Sequence, residues 1–194
     1  MSRTLAVLVL TLACAFRAVG AMLPYEERER AVWTALINHG LDGESKSLVL
    51  SDRSSGDPAG LAADPAAAAQ LVKQLEVPAS AFDDWKRRNA RVDELDLSLK
   101  LDITYQVITA KNLKTLFADV EPAQGWQAFF NRYAGAPGFL RLSHVGFDDA
   151  LGHALVYVEH ECGAECGAGR MLHLVLKPGG GWEMRSGVTV WMAK

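Results

Sequence analysis

The segment Gly152–Lys177 reads GHALVYVEHECGAECGAGRMLHLVLK, two apolar runs around a centre of cysteine and glycine. In the first run Leu155 and Tyr157 share one parity, while Ala154, Val156 and Val158 share the other. A strand that is apolar on both sides belongs in the middle of a sheet, where both faces are covered. The second run, RMLHLVLK, follows after a short polar break and reads as its hairpin partner. Outward on either side lie FLRLSHVGF (139–147) and WEMRSGVTVW (182–191), separated from the central pair by DDA and PGGG. Four strand-like runs joined by short turns predict an antiparallel meander at the C-terminal end.

Upstream, the period changes. LSLKLDITYQVIT (97–109) alternates strictly, with Leu97, Leu99, Leu101, Ile103, Tyr105 and Val107 on one parity, which predicts one long strand with a wet face. KSLVLSD (46–52) reads as a short strand and RSSGDPAGLAAD (53–64) as a loop. QGWQAFFNRY (124–133) has helical spacing, and Trp126, Phe129, Phe130 and Tyr133 fall on one apolar face expected to lie on the sheet. Three earlier helices are expected. The first covers LPYEERERAVWTALINHG, with Pro24 in its first turn, Gly40 at its end and Tyr25, Val32, Leu36 and Trp33 or Ile37 buried. The second covers PAAAAQLVKQLE behind an Asp64 N-cap, and the third AFDDWKRRNARVDEL behind a weak capping box of Ser80 and Asp83. Asp83 and Asp84 face Arg87 and Arg88 one turn on, which reads as a solvated helix face. The fold class predicted is α+β: one domain over residues 21–194, with an antiparallel sheet of five to six strands and helices mainly on one face.

Residues 1–20 read differently. Arg3 precedes the apolar run LAVLVLTLACAF, and RAVGA follows with small residues at Ala18 and Gly20, the pattern of a secretory signal peptide cut near Gly20 or Ala21. The run is too short to span a bilayer, which takes about 20 apolar residues. TLAC, ending at Cys14, offers the alternative of a lipid anchor. Cleavage removes Arg3 and Arg17 and leaves 18 basic residues against 23 acidic ones, a net charge near −5. That balance supplies no electrostatic reason to bind nucleic acid or an anionic membrane. With 49% hydrophobic and 22% charged residues the chain has the composition of a folded protein. The expected localisation is secreted or periplasmic.

Export also bears on the cysteines. Without Cys14, two remain, Cys162 and Cys166, and in an oxidising compartment that count favours a disulfide. Loop entropy makes so small a ring worth about 2 kcal/mol, so its purpose is to hold a hairpin tip in one shape, with Gly163, Gly167 and Gly169 supplying backbone freedom. A metal site of His160, Cys162 and Cys166 is the sharper alternative, although no His-x3–5-His run or further cysteine completes it. A catalytic pair of Cys162 and His160 is a third reading. Glu159, Glu161 and Glu165 around His160 read as a solvated edge.

Other chemistry leaves few marks. There is no G-x-S-x-G elbow, phosphate-binding loop, dinucleotide fingerprint or H-E-x-x-H, and no cofactor motif. Asp52 and Ser54, just beyond a strand end, are candidate ligand contacts. Trp126, Tyr133 and Tyr157, with a buried acid or histidine, would line any pocket between helix and sheet.

WQAFFNRYAGAPGFLRLSHVGF and ALVYVEHECGAECGAGR together resemble a loose family of uncharacterised secreted bacterial proteins. The shared pattern is a W-x-x-F-x-x-x-Y segment, a G-x-x-x-L-S-x-V-G-F strand, an A-L-V-Y-V strand, a cysteine–glycine loop and a Trp-led final hairpin. In this chain those positions are Trp126, Phe129 and Tyr133, then Gly138, Leu142, Ser143, Val145, Gly146 and Phe147, then Ala154 through Val158, and Trp182. Ala134 and the ending VWMAK depart from the pattern. The resemblance covers the last third of the chain and implies export and fold, with no activity attached.

The functional expectation is an exported, non-enzymatic envelope or extracellular binding domain whose stapled hairpin tip meets a protein or small-molecule ligand. The alternatives are a small pocket enzyme of cone-like α+β fold and a Cys/His metal-binding protein.

Overall fold

The computed structural model describes residues 23–41, 47–57, 60, 61 and 63–193. The expected signal peptide and Cys14 lie outside the described residues. In chain order the elements are α1 (Tyr25–Leu36), continuing into a π-helical turn over Ile37–Leu41, β1 (Ser47–Ser51), α2 (Pro65–Leu75) and α3 (Ala79–Arg88). They continue with β2 (Thr104–Ile108), α4 (Ala110–Phe117), α5 (Pro122–Arg132), β3 (Phe139–Leu142), β4 (Gly146–Phe147), β5 (His153–Gly163), β6 (Cys166–Leu176) and β7 (Trp182–Met192).

β5 sits inside the sheet, as its two-sided apolar run requires. The strand order is β2-β1-β3-β5-β6-β7, with β4 paired to β5 beyond the end of β3. The hairpin-connected half is antiparallel, β3 to β5 to β6 to β7. The other half is not: β1 runs parallel to both β2 and β3. The sheet is therefore mixed, which corrects the expectation of an antiparallel one. The reason lies in the connections. Helices α2 and α3 separate β1 from β2, and α5 precedes β3, so the chain returns to the same end of the sheet before the next strand begins.

Both faces are covered. Val32, Trp33 and Leu36 of α1 pack on one face with Leu48, Leu50, Leu140, Leu142, Val156 and Leu172. On the other, Leu71, Leu75, Phe82 and Trp85 of α2 and α3 pack on Leu155, Tyr157 and Met171. Beside them Trp126 and Phe129 of α5 and Tyr133 at its C-cap pack on Val49, Ile108 and Phe139, whereas Phe130, expected on the same face, is exposed because the sheet does not reach that side of the helix. Three helices share one face, as expected, but α1 is needed on the other because β5 is apolar there too.

Local expectations divide in the same way. Asp64 caps α2, its Oδ1 accepting from the backbone N–H groups of Ala66 and Ala67 at 2.9 and 3.1 Å. The capping box expected for α3 does not form; Pro78 occupies the N-cap with no side-chain hydrogen bond, and the helix ends at Arg88. The long strand over 97–109 contracts to Thr104–Ile108. Leu97 and Leu99 are still buried against α1, but the parity breaks at the end, where Val107 is 43% exposed and Ile108 is fully buried under α5. α4 lies outside these expectations; it begins at a Thr109 cap and packs Leu113, Leu116 and Phe117, partly buried, against the α5 cluster. FLRLSHVGF is two strands, interrupted at Ser143–Val145.

Candidate functional site

The β5–β6 hairpin ends in the stretch singled out from sequence. Cys162 and Cys166 are joined in a disulfide with their Cα atoms 5.0 Å apart. The register shifts between Glu161 and Gly163, so Cys162 occupies an irregular position that brings the two sulfurs together across the exposed Ala164 and Glu165. The joined sulfurs offer no thiolate to a metal or to a substrate. Among the described residues no group of three or more His, Cys, Asp or Glu side chains gathers as a metal site.

The glycines serve a different purpose from the one expected. None of Gly163, Gly167 and Gly169 has a positive φ. Gly167 and Gly169 instead make room for an indole. A Cβ on Gly167 would sit 3.1 Å from the Trp191 ring, and one on Gly169 would overlap both the Trp191 ring nitrogen and the Tyr157 hydroxyl. Trp191 thus lies across two glycines of β6, and its Nε1–H donates to Tyr157 Oη at 2.6 Å. Burial pushes the Tyr157 phenol up to about 12, against the opposing effect of that indole N–H. Tyr157 therefore stays neutral at physiological pH.

Alternation puts three charged side chains on the same face. Register pairs Arg141 with Glu159 and Phe139 with Glu161. Arg141 Nη1 bonds Glu161 Oε1 at 2.7 Å and Glu159 Oε2 at 3.3 Å. Burial raises the Glu161 carboxyl above its ordinary value, the Arg141 guanidinium opposes that rise, and the Glu159 charge adds to it. His160 is one residue out of phase. It pairs with Leu140 and Ala168, on the side of Val158 and away from both glutamates. The expected solvated edge of Glu159, Glu161 and Glu165 around His160 does not form, because Glu159 is buried and paired with Arg141, and neighbours on a strand point to opposite faces.

The other predicted contacts have structural partners. Asp52 Oδ1 accepts from Ala110 N at 2.8 Å at the start of α4. Ser54 is buried, and its Oγ accepts from Asp93 N at 2.9 Å. Trp126 and Tyr133 are packed among Phe129 and Phe139 with ring centroids 5.0 to 5.7 Å apart, and Tyr157 belongs to the neighbouring cluster.

A second polar centre escaped sequence reading. The interruption between β3 and β4 leaves backbone groups that the ladder does not use. Glu29, buried on α1, places Oε1 within reach of Val145 N at 2.9 Å, Tyr25 Oη at 2.6 Å and His144 Nδ1 at 3.0 Å. Asn89 accepts from His144 N and donates to His144 O. The one advance signal was the i, i+4 spacing of Tyr25 and Glu29, lost within a run of charges. Burial, reinforced by the Glu29 charge, pushes the Tyr25 phenol far above its usual range.

Two open clefts mark the surface. One, of about 540 Å³, lies between Ser55, Lys86, Asn89 and Val92. The other, of about 620 Å³, lies between Arg28, Arg88, Phe147, Asp149 and Leu151. None of the candidate contacts Asp52, Ser54, Trp126, Tyr133, Tyr157 and His160 lines either cleft.

No family model, curated protein or solved structure matches the chain. Its site must be read from its own chemistry. The disulfide is compatible with an oxidising compartment. No helix among the described residues is long and apolar enough to cross a membrane.

Proposed function

We propose that this protein is an exported, non-enzymatic binding domain whose recognition surface is the pinned end of the β5–β6 hairpin. The observation that carries the reading is the conjunction of the Cys162–Cys166 bridge with Trp191 seated across Gly167 and Gly169. A partly exposed indole held by one hydrogen bond and two strand glycines is a rigid contact element, and rigid aromatic groups bind at low entropic cost. Arg141 and Glu161, half-buried on the same face and backed by the buried Glu159, add charge of both signs suited to a polar rim around that anchor. The leader-like N-terminus and the motif resemblance to secreted bacterial proteins support export. The partner is a protein or small-molecule ligand met outside the cytosol. Neither cleft is lined by Trp126, Tyr133 or Tyr157, which gives the pocket-enzyme reading little support.

Pull-downs from extracellular or periplasmic extract test the reading with three baits: wild type, a Cys162→Ser/Cys166→Ser double variant and Trp191→Ala. The expected result is a captured component that both variants retain several-fold less well. Equal capture by all three baits removes the hairpin end from the account.

A further inference from the structure

Glu161 stands between two aromatic rings that are used differently. On one side it pairs in register with Phe139 of β3, and on the other with Gly167 of β6. Over the Phe139 ring, 5.2 Å from its centre, lies the Arg141 guanidinium, which also bonds Glu161 Oε1 at 2.7 Å. Across Gly167 lies the six-membered edge of Trp191, 3.1 Å from where a Cβ would sit. Facing Cβ positions on neighbouring antiparallel strands are about 5 Å apart, so the indole edge lies within one strand spacing of the Glu161 stem, on the same face of the sheet. On the β3 side, ring, carboxylate and guanidinium form a complete set. On the β6 side the set has its ring and its carboxylate.

The member still to be supplied is a cation. Arg28, Arg88, Arg132 and Arg141 each sit over a Phe or Tyr ring, and among the described residues no cation sits over Trp191. Yet indole is the ring that attracts a cation most strongly, and this one is partly exposed and held in place by Tyr157. The charges agree. Arg141 answers two carboxylates, Glu159 and Glu161, so the trio keeps one negative charge. Glu161 Oε2 makes no hydrogen bond or ion pair among the described residues, and its side chain is 30% exposed. Burial raises the Glu161 carboxyl further than Arg141 offsets, which a second cation would relieve.

The shape of the site selects among cations. A neutral saccharide stacks on an indole but leaves the charge unanswered. A lysine ammonium answers the charge as a point and has no plane to lay on the ring. A guanidinium does both, with its flat face on the indole and its N–H edge toward the carboxylate. We infer that the hairpin surface recognises an arginine side chain of a protein partner, stacked on Trp191 and paired with Glu161 Oε2. This inference rests on the hairpin end being the recognition surface, and it selects a protein over a small molecule as the ligand.

Nuclear magnetic resonance titration of the intact protein tests it through the indole N–H signal of Trp191, assigned by its loss in Trp191→Phe. The probes are N-acetyl-L-arginine methylamide, its lysine and norleucine counterparts, and cellobiose. In low-salt buffer the arginine probe is expected to move the signal saturably, with a Kd of about 10 mM or tighter. The lysine probe should bind at least about threefold more weakly, and the two neutral probes should not saturate. Glu161→Gln should weaken the arginine probe at least about threefold, while Glu165→Gln, at the exposed tip, should leave it unchanged. The other tryptophan N–H signals report whether Glu161→Gln is folded, and the probe series on the wild type needs no variant. Absence of saturation by the arginine probe, an equal response to lysine or norleucine, or tighter binding of cellobiose overturns the inference. So does an equal effect of Glu161→Gln and Glu165→Gln. Partner capture that falls with Trp191→Ala while the arginine probe leaves the signal unmoved sinks the arginine assignment and leaves the hairpin surface standing.

Discussion

Trp33 and Trp85 reach the same residue from opposite faces of the sheet. Trp33 Nε1 donates to the carbonyl oxygen of Ser143 at 3.2 Å, and Trp85 Nε1 to its hydroxyl oxygen at 2.9 Å. That hydroxyl also accepts from Tyr157 N at 2.8 Å and donates to His144 O. Ser143 is completely buried, at the break between β3 and β4, and it joins α1 and α3 to the central strand.

Ser143→Ala should therefore be costly. It leaves the Trp85 and Tyr157 N–H groups without acceptors in a dry setting, and an orphaned buried donor costs about 1–3 kcal/mol. A loss of about 3 kcal/mol is expected from the urea midpoint at unchanged slope. A shift below about 0.5 kcal/mol would mean that water or another acceptor replaces the hydroxyl.

Gly169→Ala tests the seat of Trp191. The added methyl overlaps the Trp191 ring nitrogen and Tyr157 Oη, and overpacking of this kind costs about 1–3 kcal/mol. In a Trp191→Ala background much of the clash is gone. The double variant should lose clearly less than the two single losses combined. Additive losses in a double-mutant cycle would show that the indole does not occupy the glycine seat.

The disulfide closes a very short ring, and its stabilisation should be correspondingly small. Replacing both cysteines with serine is expected to lower stability by about 2 kcal/mol or less, read from chemical denaturation. The fold should survive, as shown by unchanged far-ultraviolet dichroism. Global unfolding of the double variant would give the bridge a structural weight that its loop length does not explain.

His173 makes stability depend on pH. It is almost fully buried, its Nδ1 bonds Leu75 O at 3.0 Å, and its Nε2 meets His153 Nδ1 at 2.9 Å. Burial lowers its pKa, and the charges of His153 and Arg185 push the same way against the Leu75 carbonyl and Asp148. The unfolded chain then binds a proton near pH 6.5 that the folded chain refuses, so stability should fall as pH drops below about 6.5 and level off below the folded-state value. His173→Gln should flatten that slope between about pH 7 and pH 5 in denaturation curves. An unchanged slope would assign the pH dependence to other groups.

Several elements were readable because they rest on local chemistry. The Asp64–Pro65 cap, the aromatic face of Trp126, Phe129 and Tyr133 without Phe130, and the two-sided strand β5 each depend on spacing within a dozen residues. The disulfide followed from counting the two cysteines that remain once the expected leader is set aside. α4 escaped because it is only eight residues long and directly follows the alternating run, although Leu113, Leu116 and Phe117 have helical spacing, and the end of the 97–109 alternation misled because α5, arriving from later in the chain, covers Ile108.

The same boundary separates what could be said of function. Residue order alone established an α+β chain, a hairpin with its cysteines at the tip, and the absence of familiar catalytic motifs, because each is a matter of short-range pattern or composition. Strand direction, the coverage of both sheet faces and the true use of Gly167 and Gly169 came from contacts between distant segments. Trp191 reaches those glycines from β7, and Glu29 reaches Val145 across 116 positions of sequence. Periodicity reports which side of an element avoids water. It carries no information about which other element arrives to cover it.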